Sequence, residues 1–197
     1  MKVLLCKRDI EGAFNRIFIR PDLSKLMMPE LEGARLGFNQ NVVVSHLVLP
    51  PGWIDSPAYF QLAGVAIQAL HESYGVEDQG WSGMGHFSSF IYVGDAIWVA
   101  NAFGCRLSTS IEAWEWACER ILNIGSVSQR KVDLEGSWET NALILGFEVD
   151  TECNTISIPE PKITAARNLI ISEDLQPGNT NLRIKVLRNC GGDASTG

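Results

Sequence analysis

The chain has 197 residues, 46% of them hydrophobic and 20% charged, with a net charge of -7 from 23 acidic and 16 basic residues. That length suits one domain with room for a small appendage, and the composition is that of a globular protein able to bury a sizeable core. The acidic balance argues against non-specific nucleic-acid binding, which needs basic surface to displace counterions, and leaves open only a local basic groove.

No apolar run approaches the roughly 20 residues of a membrane span. The apolar part of the N-terminal MKVLLCKRD is too short for a secretion signal. An intracellular protein, in cytoplasm or nucleus, is expected. The five cysteines (Cys6, Cys105, Cys118, Cys153, Cys190) are odd in number and form no CxxC pair, so neither a zinc site nor a disulfide framework is indicated.

Val3 to Cys6 is a short apolar run that reads as a buried strand ending at Asp9. Ile10 to Ile19 alternates small and apolar residues, and Pro21 and Pro29 break the chain. Asn41 to Leu49 is rich in β-branched residues and reads as a strand. Pro50-Pro51-Gly52-Trp53 reads as a turn of fixed backbone. Ser56 as N-cap and Pro57 at the first helical position open a helix with Phe60, Ala63, Ile67 and Leu70 on one face, closed by Gly75. Val76 to Gly85 is a Gly-rich loop that contains Trp81.

The stretch from Phe87 to Ala100 folds two apolar arms around Gly94-Asp95, a strong short-range hairpin signal. Asp95 is expected at the turn's tip, where it either serves the turn or leaves the core for chemistry. A second helix is expected from Thr109, with Glu112 completing a capping box, an apolar stripe of Ile111, Trp114, Cys118 and Ile121, and an end at Gly125. Ala142 to Val149 reads as one nearly continuous apolar strand, returned by Thr155 to Ile158. Pro159 and Pro161 start a third helix to about Ile171, and residues 176–197 read as an irregular tail. Hairpins segregated from helices predict an α+β fold, an antiparallel sheet with helices on one face.

Four stretches, in order, carry a resemblance. Asp9-Ile10-Glu11-Gly12-Ala13-Phe14 is an Asp followed five residues later by an aromatic. Leu49 to Gln61 has the pattern LPxGWxxSPxxFQ. Tyr92-Val93-Gly94-Asp95 is similar to YxDD, and Leu145-Gly146-Phe147-Glu148-Val149 with the next strand is similar to a primer-grip hairpin. Together they resemble the palm of a reverse transcriptase, an RNA-directed DNA polymerase of the retroelement type; a retrotransposon polyprotein is the suggested source. The resemblance spans roughly residues 1–171, and its second motif is the most specific. It implies a palm over residues 1–158, the start of a helical thumb over 159–175, and the tail beyond.

The resemblance further implies two-metal phosphoryl transfer, with two Mg²⁺ ions about 3.5–4 Å apart. Carboxylate oxygens suit such hard cations. It assigns Asp9 and Asp95 as catalytic and metal-binding residues, with Ile10 also at the metal site. Phe14, Pro51, Gly52 and Lys131 would line the nucleotide pocket, Phe14 rejecting a 2′-hydroxyl by size and Lys131 facing the phosphates. Leu145, Gly146 and Phe147 would form the primer grip. The implied partners are an RNA or DNA template-primer and a dNTP. The plainer readings stand beside these: Phe14 a core aromatic, Lys131 a solvated surface charge.

Two departures matter. Gly94 stands where the family has the first of two consecutive Asp residues, the one that shares both metals with the opening Asp; it has no ligand atom. Asp95 does not simply replace it, because neighbouring strand residues point to opposite faces. Pro51 stands where many relatives carry Gln or an aromatic, and it offers no N–H. The fingers segment and the downstream polyprotein regions that normally adjoin a palm are expected to be missing, as in a degenerate element. Two functional classes therefore compete: an impaired polymerase, and a non-catalytic palm-like relic or protein-interaction domain.

Overall fold

A computed structural model describes residues 2–74 and 86–172 of the chain. The expected helix end at Gly75, the Gly-rich loop with Trp81, residues 173–175 of the expected thumb and the 176–197 tail lie outside the described residues. The chain divides into two compact units, Met1–Thr140 and Asn141–Gly197, each described by itself. The fold is α+β, with antiparallel strand pairing throughout the described sheets.

In the first unit, β1 (Val3–Asp9), β4 (Ser88–Tyr92) and β5 (Asp95–Asn101) form a sheet in the order β1-β5-β4. The hairpin turn is Val93-Gly94, so Asp95 opens β5 instead of sitting at the tip. Cys6 pairs with Trp98, and Ile91 with Ala96. Alternation puts these residues on one face, together with Arg8 and Ala100. Helices α2 (Ser56–Ser73) and α3 (Arg106–Leu122) cover that face: Phe60, Ile67, Trp114, Ala117, Cys118 and Leu122 join Cys6, Ile91, Ala96 and Trp98 in one core. Trp98 is its centre, 5.1 Å from Trp114 and 6.3 Å from Trp138 between ring centroids. Truncating such a fully buried aromatic to Ala costs about 3–5 kcal/mol.

Several boundaries differ from expectation for local reasons. Ser56 is not the N-cap; Asp55 is, and the Ser56 hydroxyl donates to the Pro50 carbonyl at 2.8 Å. The hydroxyl thus ties the preceding turn to the helix. Helix α3 begins at Arg106, three residues before Thr109, and Thr109 N–H already bonds the Cys105 carbonyl. Its buried stripe runs through Ser110, Ala113, Trp114, Ala117, Cys118 and Leu122, leaving Ile121 38% exposed. Asn41–Leu49 is not one strand. Only β3 (Val42–Val43) pairs, with β2 (Glu30–Leu31). The rest attaches by single bonds, Ile19 N–H to the Leu47 carbonyl and Leu49 N–H to the Ile17 carbonyl, because no continuous partner strand runs beside it. Two short helices escaped the sequence reading, α1 (Pro21–Ser24) and α4 (Gln129–Glu135).

In the second unit, Ala142–Val149 is a hairpin and not a single strand: β6 (Asn141–Ile144) pairs with β7 (Phe147–Asp150). Leu145 at φ 47° and Gly146 at φ 84° make the turn. Two successive positive φ values match a primed turn, the kind that suits the twist of paired strands. Continuous apolarity hid it. β8 (Thr155–Ser157) pairs next, and α5 (Glu160–Ile170) follows.

The hairpin tip of the first unit is clamped from α2. Gln61 donates to the Ile91 carbonyl at 2.8 Å and accepts from Val93 N–H at 3.0 Å. Val93 has φ 54°. For a β-branched residue that is strained backbone, costing about 1–3 kcal/mol, which surrounding contacts must hold in place. Replacing Gln61 by Leu removes both bonds; we expect a loss of about 1–3 kcal/mol in urea unfolding and faster amide exchange at Val93, and unchanged exchange would show that the clamp does not hold the turn.

His71 is fully buried between α2, β4 and α3. Its ring nitrogens lie 2.9 Å from the Ser89 hydroxyl and 3.1 Å from that of Ser110, and the ring stacks on Phe87 at 5.1 Å. Burial pushes its pKa down to about 4, against smaller opposing effects of Ser110 and Glu72. The unfolded chain binds this proton near pH 6.5, so His71 leaves stability intact above that pH and erodes it as pH falls towards 4. The total is about 3 kcal/mol at 1.4 kcal/mol per pH unit. Urea midpoints should fall between pH 6.5 and 5, and His71→Gln should flatten that fall; an equal slope in both proteins would exclude His71 as the cause.

Candidate functional site

The site grows from the register of β1 on β5. Asp9 is the direct partner of Asp95. Opposed residues of an antiparallel pair share a face, with Cβ atoms about 5 Å apart. Both carboxylates therefore lie on the sheet face opposite α2 and α3; contrary to the expectation from strand alternation, Asp95 faces the same side as Asp9, because Gly94 belongs to the turn and not to the strand. Lys7, paired with Ile97, lies on the same face, as do Phe90 and Tyr92, each about half exposed.

Gly94 adjoins this pair. Its carbonyl accepts from Ile10 N–H at 2.9 Å. A Cβ at position 94 would lie 3.9 Å from Asp9 Oδ1, 3.8 Å from the Ile10 carbonyl oxygen and 3.4 Å from the Ala13 Cβ. A side chain there would start in ordinary van der Waals contact with these three groups, the Asp9 carboxylate among them. Asp9, Ile10, Gly94 and Asp95, singled out from the sequence, are thus brought together.

Lys131 joins them by a route that the sequence reading missed. Residues 126–128 run along the end of β1: Glu11 N–H bonds the Ser126 carbonyl at 2.8 Å, and Ser128 N–H bonds the Asp9 carbonyl at 2.9 Å. Ser128 is the N-cap of α4. Lys131, one turn in, then reaches back, its Nζ 2.9 Å from Asp9 Oδ1. Instead of a solvated surface charge it is an ion-pair partner of the opening Asp. Burial raises the Asp9 carboxyl above the usual carboxylate range; Lys131 works against this, while Asp95 and Glu11 add to it.

A small cavity of about 110 Å³ is lined by Lys7, Arg8, Asp9, Asp95 and Lys131. The Asp9–Lys131 pair and the Asp95 carboxylate lie there, while the Arg8 guanidinium turns to the other face of the sheet. Arg8 is more than nine-tenths buried, and its guanidinium lies 5.8 Å from the Trp98 ring. It donates to the Gly136 carbonyl, to the Lys7 carbonyl at 2.9 Å and to Cys6 Sγ at 3.2 Å. A Cβ at Gly136 would overlap this guanidinium. Arg8 does not stand out in sequence, since it lies inside an otherwise regular strand pattern; Gln61 closes the LPxGWxxSPxxFQ motif, but its clamp on the hairpin is not legible there. Among the described residues no group of three or more His, Cys, Asp or Glu side chains is arranged to hold a metal ion.

Phe14, Pro51 and Gly52 of the first unit do not line this cavity. Phe14 is partly buried and meets Phe60 edge-on at 6.0 Å, packing against the core. Pro51 and Gly52 are the central residues of a turn closed by Trp53 N–H on the Pro50 carbonyl, 3.2 Å. Gly52 has φ 90° and open space around its missing Cβ. Its positive φ suits the third position of a type II turn, which glycine fills without strain. Trp53 stacks on Tyr59 at 5.4 Å. In the second unit, Leu145, Gly146 and Phe147 form the hairpin turn, and Lys162 donates to the Gly146 carbonyl at 3.2 Å. No described helix is long and apolar enough to cross a membrane.

No family model matches the chain. No curated protein matches it either. Solved structures do. One is the foamy viral protease-reverse transcriptase in complex with an RNA/DNA hybrid, with a TM-score of 0.56 at 17% identity. The match covers 83% of this chain but only 18% of that one. At this identity the likeness is one of fold: the chain has a reverse-transcriptase-like fold over most of its described length.

Proposed function

We propose that this chain is a reverse-transcriptase palm, of retroelement type, that does not polymerise. The observation that carries the reading is Gly94. It occupies the point from which a side chain would meet the Asp9 carboxylate, 3.9 Å from Oδ1 to a Cβ placed there, and it has no ligand atom. The likeness of fold to a protein solved with an RNA/DNA hybrid supports a template-primer as the ancestral partner, with a dNTP and Mg²⁺ implied by the motifs.

The donors present do not fit a pair of Mg²⁺ ions. Mg²⁺ demands near-octahedral oxygen coordination and gives up water reluctantly, so it depends on placed carboxylates. Here Asp9 and Asp95 supply one carboxylate each, Ile10 a backbone carbonyl, and Lys131 already pairs with Asp9. In the family pattern the residue that shares both ions with the opening Asp stands at position 94, and here that residue is glycine. Phosphoryl transfer draws its rate from positioning and charge stabilisation, so the loss should cost many orders of magnitude. The nucleic acid would lie on the open sheet face that carries Lys7, Phe90 and Tyr92.

Primer extension on an RNA template, with Mg²⁺ or Mn²⁺, tests this. The unmodified chain should give no product above the Asp9→Ala control. Product that vanishes in Asp9→Ala would sink the proposal.

A further inference from the structure

We infer that Lys131 is a tethered cation: its ammonium takes the charge-neutralising place beside Asp9 that a divalent ion would otherwise hold, and it competes with such an ion for that carboxylate. This rests on the palm reading above and goes beyond it, because it makes Gly94 only one of two obstacles to metal binding.

Three observations carry it. The first is how the pair is built. The Asp9 carbonyl receives Ser128 N–H at 2.9 Å, and Lys131 N–H bonds the Ser128 carbonyl at 3.1 Å. The start of α4 is thereby pinned to the end of β1, and Lys131 is delivered to Asp9 by backbone hydrogen bonds at both steps. A contact so positioned costs less side-chain entropy than one between two freely moving surface chains.

The second is the charge around it. Lys7, Arg8 and Lys131 line the same cavity as Asp9 and Asp95. An incoming divalent ion must displace an ammonium already 2.9 Å from its ligand. The third is solvent. The Asp9 side chain is 21% exposed and that of Lys131 49%, so water screens the pair less at its carboxylate end than it would at the open surface.

The inference predicts coupling between positions 94 and 131. Adding a carboxylate by Gly94→Asp leaves Lys131 still on Asp9. Removing the ammonium by Lys131→Met leaves too few ligands. Only the double variant frees a set of three carboxylates.

Mn²⁺ binding, followed by the loss of its free-ion paramagnetic resonance signal, tests this on the full chain and three variants. The unmodified chain and Lys131→Met should not saturate at millimolar Mn²⁺. Gly94→Asp should bind weakly, and Gly94→Asp/Lys131→Met about 10-fold more tightly. Equal affinity in the last two would overturn the inference while leaving the palm reading standing. No binding by either, with both folded by circular dichroism, would overturn the inference and the palm reading together.

A second measurement needs no new carboxylate. Asp9→Asn, Lys131→Met and their double variant form a cycle in urea unfolding. The two changes should be non-additive, as for residues in direct contact. Strict additivity would overturn the pairing.

Discussion

The pairing of β1 with β5 is the constraint on which the site depends. Strand side chains alternate with period two, so a slip of one residue would turn every side chain of β1 to the other face. In the register found, Cys6 meets Trp98 inside and Asp9 meets Asp95 outside. The core selects that register, because a slip would put the charged Lys7 and Asp9 against Trp114 and Cys118. The chemistry-bearing face is thus fixed by apolar packing on the other side of the sheet. The same strand also orders the connection to α4, since the carbonyl of Asp9 anchors Ser128.

Legibility in the sequence followed how local each cause was. The 88–101 hairpin was readable because its two arms are β-branched and aromatic and its turn holds a glycine. Helix α2 was readable from Phe60, Ala63, Ile67 and Leu70 at helical spacing, although Ser56 turned out to serve a tertiary bond to Pro50. The β6–β7 turn was misread because Leu145 is apolar, and only its positive φ marks it as a turn. Asn41–Leu49 has strand composition but no continuous partner; propensity describes fitness for a sheet, and a sheet needs a neighbour.

The site was half legible for a related reason. Asp9 and Asp95 were found through motifs that surround them in sequence. The pairing of Lys131 with Asp9 spans 122 residues and depends on the bond from Ser128, which no periodicity encodes. Arg8 illustrates the same limit. It reads as the charged end of a strand, yet it is buried under Trp98, and its hydrogen bond to the Gly136 carbonyl is possible because that residue has no Cβ.

Gly94 is not a glycine that its backbone demands. It lies outside the positive-φ region that favours glycine, and the strained residue of the turn is its neighbour Val93 at φ 54°. A Cβ at position 94 would make no contact closer than 3.4 Å. The turn therefore admits a side chain there, and glycine at position 94 is not a steric necessity of the hairpin. A carboxylate left alone at Asp9, partly buried and facing Asp95, would carry uncompensated charge, which proteins relieve by pairing or by protonation. Lys131 supplies that compensation from within the chain. The strand register, the bond from Ser128 and the Lys131 pair together hold Asp9 in place within the fold.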